Sequence, residues 1–304
     1  MTFPSGFFII DKPQGVTSFS MVSLVRRLTG VRRVGHAGTL DPLATGVLPV
    51  AVGQAARFIE YMDSETKTYV ARVRFGAATD TYDAEGAVTS AADASHVTAV
   101  GITALLPDFT GEIEQAPPVY SAIKLAGKPL YRYALAGEPV EVRPRRVRID
   151  SITLVGFDAE LVEAEIEVVC GKGTYIRSLA HDFGQRLGCG AHLTALRRSS
   201  SGGFSLDDAV VPETLSALAD EGRLEDALLA LDRAVERRRA AIVAAEHAAD
   251  VRSGRDVDLQ IRADIAPPSR FEICRAYDTD GRFLGVIEHQ EGGRWHPAKI
   301  VPNA

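Results

Sequence analysis

Two stretches of period-two alternation constrain the fold more than anything else in this chain. In Lys67–Phe75, residues Tyr69, Ala71, Val73 and Phe75 point one way, and Val70, Arg72 and Arg74 the other. In the second stretch Val162, Ala164, Ile166 and Val168 alternate with Glu163, Glu165 and Glu167. A strand that is apolar on one side and charged on the other belongs in an antiparallel sheet with one wet face. Two further runs, Gly6–Asp11 and Val47–Val52, read as short strands, the second a buried one.

Helical periodicity is interspersed. Thr17 or Ser18 can cap a helix whose Phe19, Val22, Val25 and Leu28 share a face, with Gly30 as its stop. Ile176, Leu179, Ala180, Phe183 and Leu187 mark another, ended by Gly188. Between them Val34–Thr45 reads as a loop rich in glycine and small residues. Strands followed by single helices, without a regular βαβ repeat, predict an α+β domain around a mixed or antiparallel sheet. Near the C-terminus, Arg237–Glu246 reads as helical. Arg270–Tyr277 and Arg282–Ile287 read as strands joined at Asp280-Gly281, a hairpin signal. A chain of 304 residues has room for two domains, and the boundary is expected near residue 238, giving 1–238 and 239–304.

No apolar run approaches the roughly 20 residues of a membrane span. The N-terminus has no basic region before its short apolar stretch, so a signal peptide is not expected. Three scattered cysteines without a C-x-x-C pair argue against a zinc site and a disulfide framework, and fit a reducing cytosol. The net charge of −6 taken alone argues against a nucleic-acid partner, but the charge is segregated. Lys124–Arg148 holds seven basic residues and two acids, and Arg26, Arg27, Arg32 and Arg33 form a second basic cluster. The acids gather elsewhere, in the helix-like stretch Leu206–Glu236. Gln115–Arg146, with five prolines, three tyrosines and weak periodicity, reads as a long mobile excursion from the sheet.

The segment most open to a chemical reading is GHAGTLDPLATGVL, Gly35–Leu48. Its glycines let backbone approach a ligand closely. Within it stand His36 and one carboxylate, Asp41, which Pro42 biases to an extended conformation. An Asp-Pro turn without a function is the bland alternative.

The same segment, extended to GHAGTLDPLATGVLPV, closely resembles the catalytic motif of the TruB family of pseudouridine synthases. So do FIIDKPQGVTS upstream, KTYVARVRFGAATDTYDAEG downstream, and GKGTYIRSLAHDFGQRLGCGAHLTALRR beyond it. The four are collinear and cover most of residues 6–200. The resemblance implies a pseudouridine synthase catalytic domain and a small, mostly-β PUA-like C-terminal domain. It also implies isomerisation of the T-loop uridine of tRNA, position 55, to pseudouridine, by base flipping, glycosidic cleavage, rotation and rejoining through C5.

Site residues follow by position. Asp41 matches the catalytic aspartate and Arg177 the arginine paired with it. Tyr69 matches the tyrosine that packs on the target base and is a candidate acceptor of the C5 proton. Tyr175 and Leu196 match the lining of the uridine pocket. His36 matches the histidine that fills the place the base has left, and Lys12 and Pro13 support the floor of the site. About 115–148 matches a thumb that closes over RNA, with Lys124, Lys128, Arg132, Arg143, Arg145 and Arg146 toward the RNA backbone. The implied partner is tRNA through its T stem-loop, with no cofactor, metal or membrane, in the cytoplasm and as a monomer.

The chemistry is consistent with these roles. Nothing is oxidised or hydrolysed, and an anionic nucleophile next to the sugar C1′ or the base C6 can start the reaction. Such a carboxylate must be ionised, which an adjacent arginine favours, bidentately where geometry allows. Without the resemblance, Tyr69, Tyr175 and Leu196 would pass as packing residues and His36 as a loop histidine. Two other classes remain open at this stage. One is an RNA chaperone that flips the T loop without chemistry, for which a carboxylate near phosphates has no use. The other is a nucleoside or glycoside hydrolase, which ordinarily needs two carboxylates.

Overall fold

The structure is a computed structural model that describes residues 3–62, 66–121, 123–259, 266 and 268–302. Most of the chain is built on one mixed sheet. Its strands are β1 (Gly6–Lys12), β2 (Val34–His36), β3 (Thr45–Val52), β4 (Lys67–Phe75), β5 (Gly111–Gln115), β6 (Arg145–Asp158), β7 (Glu163–Cys170) and β8 (Ala191–Ser201). They lie in the order β1-β3-β8-β4-β7-β6-β5, with β2 also on β3 and the short Phe204–Ser205 on β8. Neighbours are antiparallel except β3 and β8, which run parallel where Arg197 and Arg198 face Thr45 and Gly46.

The alternation in the sequence is what builds the middle of this sheet. Tyr69, Ala71, Val73 and Phe75 of β4 are buried with Ala164, Ile166 and Val168 of β7, and Ala71 stands opposite Ile166. On the wet face Arg72 meets Glu165 at 2.9 Å and Arg74 meets Glu163 at 3.1 Å. The exposed Arg72 pair contributes at most about 1 kcal/mol, so apolar burial on the other face carries the stability.

Among the described residues there are six α-helices: α1 (Ser18–Thr29), α2 (Ala99–Leu105), α4 (Ile176–Leu187) and α5 (Pro212–Asp220) pack on the large sheet, α3 (Leu130–Leu135) lies in the excursion between β5 and β6, and α6 (Ala245–Arg252) packs in the C-terminal module. Thr17 caps α1 and Gly30 closes it in the left-handed conformation, φ 68°. Its buried face is Ser18, Met21, Val22 and Val25; Phe19, expected inside, is 62% exposed. A face centred on Met21 and Val25 leaves Phe19 on the other side of the cylinder, and Arg26 lies over its ring instead. α4 buries Ile176, Leu179, Ala180 and Phe183. A Cβ on its Gly184 would stand 2.0 Å from the backbone nitrogen of Ala191, so only glycine lets α4 sit this close to β8.

Several other expectations change. His36 lies in strand β2, since Val34–His36 finds partners on β3, so the loop proper begins at Ala37. Arg145 and Arg146 open the 14-residue strand β6, paired with Gln115 and Glu114 of β5, so the excursion ends before them. Within it are a two-stranded hairpin, Lys124–Leu125 with Lys128–Pro129, and α3, seated by the buried Leu130. Leu206–Glu236 contains α5, but the rest of its regular structure is short 3-10 turns.

The final module is a five-stranded sheet. Its strands are β9 (Ala240–Ile242), β10 (Val257–Asp258), β11 (Ile273–Tyr277), β12 (Phe283–His289) and β13 (Arg294–Ile300), in the order β9-β11-β12-β13-β10. The segment expected to be helical at Arg237–Glu246 therefore supplies strand β9. Parallel pairing of Ala240 with Arg275 and Ile242 with Tyr277 overrides the helix propensity of alanine, and the helix starts only at Ala245. Cys274, Ala276, Leu284, Ile287 and Trp295 form the module's own core. Val286 and Phe283 pack instead against Phe58 and the β1–β3 side of the large sheet.

Candidate active site

The Ala37–Ala44 loop carries Asp41 and is held from both ends. Leu40 and Leu43 are buried in the main core. The Ser18 hydroxyl, left free because Thr17 does the capping, donates to the carbonyl of Leu40 at 3.0 Å and accepts from its N–H at 2.8 Å. On the far side of Asp41, the carbonyl of Pro42 accepts from the Gly15 N–H at 2.8 Å and from Lys12 Nζ at 3.3 Å. Lys12 is fully buried and its ammonium also donates to the carbonyls of Pro13 and Val16. Burial is the main reason its pKa falls to about 8, although Asp41 and Glu85 pull it back up. The Lys12 ammonium thus bonds the loop from one side; the ring of Pro13 is exposed and its contribution here is a carbonyl. Gly46, just past the loop, has φ 101°, and a Cβ there would lie 2.2 Å from the carbonyl of Arg198. Glycine is therefore required where β3 and β8 meet.

Arg177, in the first turn of α4, reaches Asp41. Its Nε lies 2.9 Å from Asp41 Oδ2. The pairing is not the bidentate one anticipated, because the other end of the guanidinium is occupied. Nη1 lies 3.4 Å from Asp83 Oδ2 and donates to the carbonyl of Thr81 at 3.1 Å; Nη2 donates to the carbonyl of Tyr120 at 3.0 Å. The side chains of Arg177 and Asp83 are 6% and 4% exposed, that of Asp41 38%. Asp83 is fixed by the Thr81 hydroxyl at 2.6 Å and the Glu85 N–H at 3.1 Å. The arginine is thus locked from behind and presents one edge to a carboxylate open to a cleft. Burial pushes the pKa of Asp41 above the usual carboxylate range, against the pull of Arg177; Asp83 adds to the rise and Lys12 opposes it.

The cleft has a volume of about 260 Å3 and its lining includes Asp41, Tyr69, Tyr175, Arg177 and Leu196 together with Thr39, Lys67 and Ser121. Five residues expected at the site, drawn from four separate segments, converge there. Tyr69 reaches it from the buried face of β4, and burial raises its phenol pKa, with Arg198 pulling the other way. Tyr175 precedes α4 and is fixed through its backbone. Its N–H donates to Gln115 Oε1 at 2.8 Å and its carbonyl accepts from Gln115 Nε2 at 3.0 Å. His36 is not part of this lining. It is partly buried on β2, with its Nδ1 unpartnered and its pKa lowered chiefly by burial.

Of the basic residues assigned to RNA, Lys124, Arg132, Arg143, Arg145 and Arg146 are exposed. Lys128 is tied down: its ammonium bonds Glu138 at 3.1 Å and lies 4.1 Å from the Tyr133 ring centre. Three contributors were missed from sequence. Asp83 is one of several acids in DTYDAEG, and nothing in that run tells which one turns inward. Ser18 looked like a cap. Arg198 is fully buried, donating to the carbonyls of Val47 and Gly38, and its place on an alternating strand beside Arg197 gave the only signal.

Two family models match the chain: the TruB family pseudouridylate synthase N-terminal domain over residues 26–176, and the tRNA pseudouridylate synthase B C-terminal domain over 177–236. Among curated relatives, a Dehalococcoides mccartyi tRNA pseudouridine synthase B is 42% identical over 296 residues, covering 97% of this chain and 96% of its own. A Geobacter sulfurreducens protein of the same name is 46% identical over 292 residues, 94% of each chain. Among solved structures, a chain of a Cbf5-Nop10-Gar1 complex superposes with a TM-score of 0.71 at 25% identity, covering 95% of this chain and 79% of that one. A chain of an H/ACA RNP bound to a substrate RNA containing 2′-deoxyuridine gives 0.72 at 22% identity, over 98% and 85%.

Proposed function

Since the chain belongs to the TruB family of pseudouridylate synthases, and is thus an isomerase acting on uridine in tRNA, we propose that it converts the T-loop uridine at position 55 with Asp41 as its catalytic carboxylate. The observation that carries this reading is the Asp41–Arg177 contact at 2.9 Å inside a cleft that also holds Tyr69. A carboxylate clamped in place, partnered by a buried cation and open on one side suits attack at the sugar C1′ or the base C6. Arg177 holds it ionised and aimed. Desolvation of the carboxylate makes the anion more reactive once formed, at the cost of a higher pKa.

The reacting base must leave its stack, which costs a few kcal/mol. The Tyr69 ring offsets part of this by stacking on the uracil, worth about 1–3 kcal/mol. Its hydroxyl, kept protonated by burial, relays the proton lost from C5: the phenol oxygen takes that proton as its own O–H proton passes to a second base. Tyr175 and Leu196 hold the base edgewise. His36, on the strand that leads into the Asp41 loop, fills the gap in the T loop. The exposed cations of 115–148 grip phosphates as a thumb closing over the RNA. Residues 239–304 form a PUA-like accessory module, and the protein works as a monomer in the cytoplasm without a cofactor.

The test is incubation with an unmodified tRNA transcript, followed by mapping of pseudouridine. One product site in the T loop is expected. Free uracil in place of pseudouridine would make the chain a hydrolase, and a folding effect without product would make it a chaperone.

A further inference from the structure

The cleft has an annex. Lys67, the first residue of β4, lines the cleft and also a second cavity of about 140 Å3, whose walls include Gly38, Lys172 and Ser201. Strand register explains the convergence: Lys67 stands opposite Ser201 of β8 on one side and opposite Cys170 of β7 on the other. Lys172 follows closely after the end of β7. The ammonium of Lys67 lies 3.4 Å from the place a Cβ would take on Gly38, so it presses against the loop that carries Asp41.

Among the described residues, this corner collects cations that have no carboxylate bonded to them. Arg177 and Arg197 have carboxylates at 2.9 and 2.7 Å. Among the described residues neither Lys67 nor Lys172 has such a partner, and neither does Arg198. Arg198 is fully buried, and its Nη1 has no hydrogen-bond partner and lies 3.4 Å from the same point over Gly38. Burial and the nearby Arg198 both lower the pKa of Lys67, which marks a cation held at a cost. An anion entering here would relieve that cost, and a glycine at 38 leaves space for it. The cavity shares Lys67 with the cleft proposed to hold the reacting nucleotide, so the anion nearest to hand is the strand that nucleotide belongs to.

We propose that Lys67, Lys172 and Ser201 form a subsite for one backbone phosphodiester of the RNA, next to the nucleotide held in the cleft. The subsite anchors the strand on one side of the flipped nucleotide while the base enters the cleft. It rests on the RNA-modifying reading above.

The test measures binding of a T-arm RNA hairpin in the Asp41→Asn background, where turnover is stopped, over a range of salt. Lys67→Met and Lys172→Met should each weaken binding by about tenfold, what a charge-assisted hydrogen bond contributes. The double variant should flatten the salt slope by about 0.7, the share of one single-stranded phosphate. Lys67→Arg with Lys172→Arg should keep affinity, which separates charge from folding damage. A hairpin with one neutral methylphosphonate linkage beside the target uridine, on its 5′ or its 3′ side, should bind the parent protein as weakly as the double variant binds normal RNA. For that linkage the double variant should be indifferent to the replacement. If the losses simply add at both linkages, or the salt slope does not change, the subsite is wrong. Pseudouridine formation by the protein with Asp41 intact on the same hairpin is measured alongside, so a failed RNA reading shows separately from a failed subsite.

Discussion

Arg177 serves two carboxylates, and they are not equivalent. Asp83 is buried behind it, whereas Asp41 faces the cleft. Arg177→Ala should therefore abolish turnover and also lower stability by about 3–5 kcal/mol in denaturant unfolding, because a buried Asp83 is left uncompensated. An active variant of unchanged stability would contradict the arrangement. Asp83→Asn separates the two partners. With Asp41 acting as its anion, as proposed above, kcat/KM should fall as pH drops through a pKa raised above the usual carboxylate range. Asp83 contributes to that rise, so its amide should move the acid limb to lower pH while reducing the maximal rate. A limb that stays put or moves up would mean that the charge of Asp83 does not reach Asp41. Tyr69→Phe should keep tRNA binding and lose product, since the ring remains and the hydroxyl does not; full activity would leave the tyrosine a stacking role alone. At this scale sequence was informative where a residue type is costly in its context: a carboxylate among glycines, an arginine in a helix's first turn. It was silent on Asp83, Ser18 and Arg198, whose inward turn depends on strand register and on neighbours distant in the chain.

Elements were legible in proportion to their periodicity. β4 and β7 were readable from alternation because one face is buried and the other is wet, and a one-residue slip would expose the whole core face. α1 was found but rotated, since Phe19 fits the helical spacing as well as Met21 does and only the packed sheet decides between them. β9 was misread because a three-residue strand has no period of its own and forms only where β11 offers an edge. The excursion after β5 shows the same limit. Its root is pinned to α4 by Gln115, by the Ser178 hydroxyl on the carbonyl of Ala116 and by Arg177 on the carbonyl of Tyr120, so the excursion and the cleft share a support. Arg143 lies in the excursion, while Arg145 and Arg146 begin β6. Replacing all three with glutamine should weaken tRNA binding and flatten the salt dependence by up to about three units, one per phosphate contacted. The rate at saturating tRNA should change far less. An unaltered salt slope would leave these arginines as a solvated surface.

At the scale of the whole molecule the net charge of −6 is a poor guide to the partner, because exposed cations stand along 124–146 while Glu165 and Glu163 of the β4–β7 wet face are matched by Arg72 and Arg74. The small C-terminal sheet leans on the β1–β3 side through Val286 and Phe283 and has its own core, which suits an accessory module beside a catalytic one. Everything in the larger part, from the Ser18 and Lys12 clamps to the arginine locked by Asp83, converges on the position and charge of a single carboxylate. The most direct measurement is therefore Asp41→Asn, assayed for single-turnover pseudouridine formation on an unmodified tRNA transcript alongside its tRNA affinity. The account predicts no detectable product with affinity nearly unchanged; product formation within about tenfold of the parent rate, a barrier difference of about 1.4 kcal/mol or less, would contradict it.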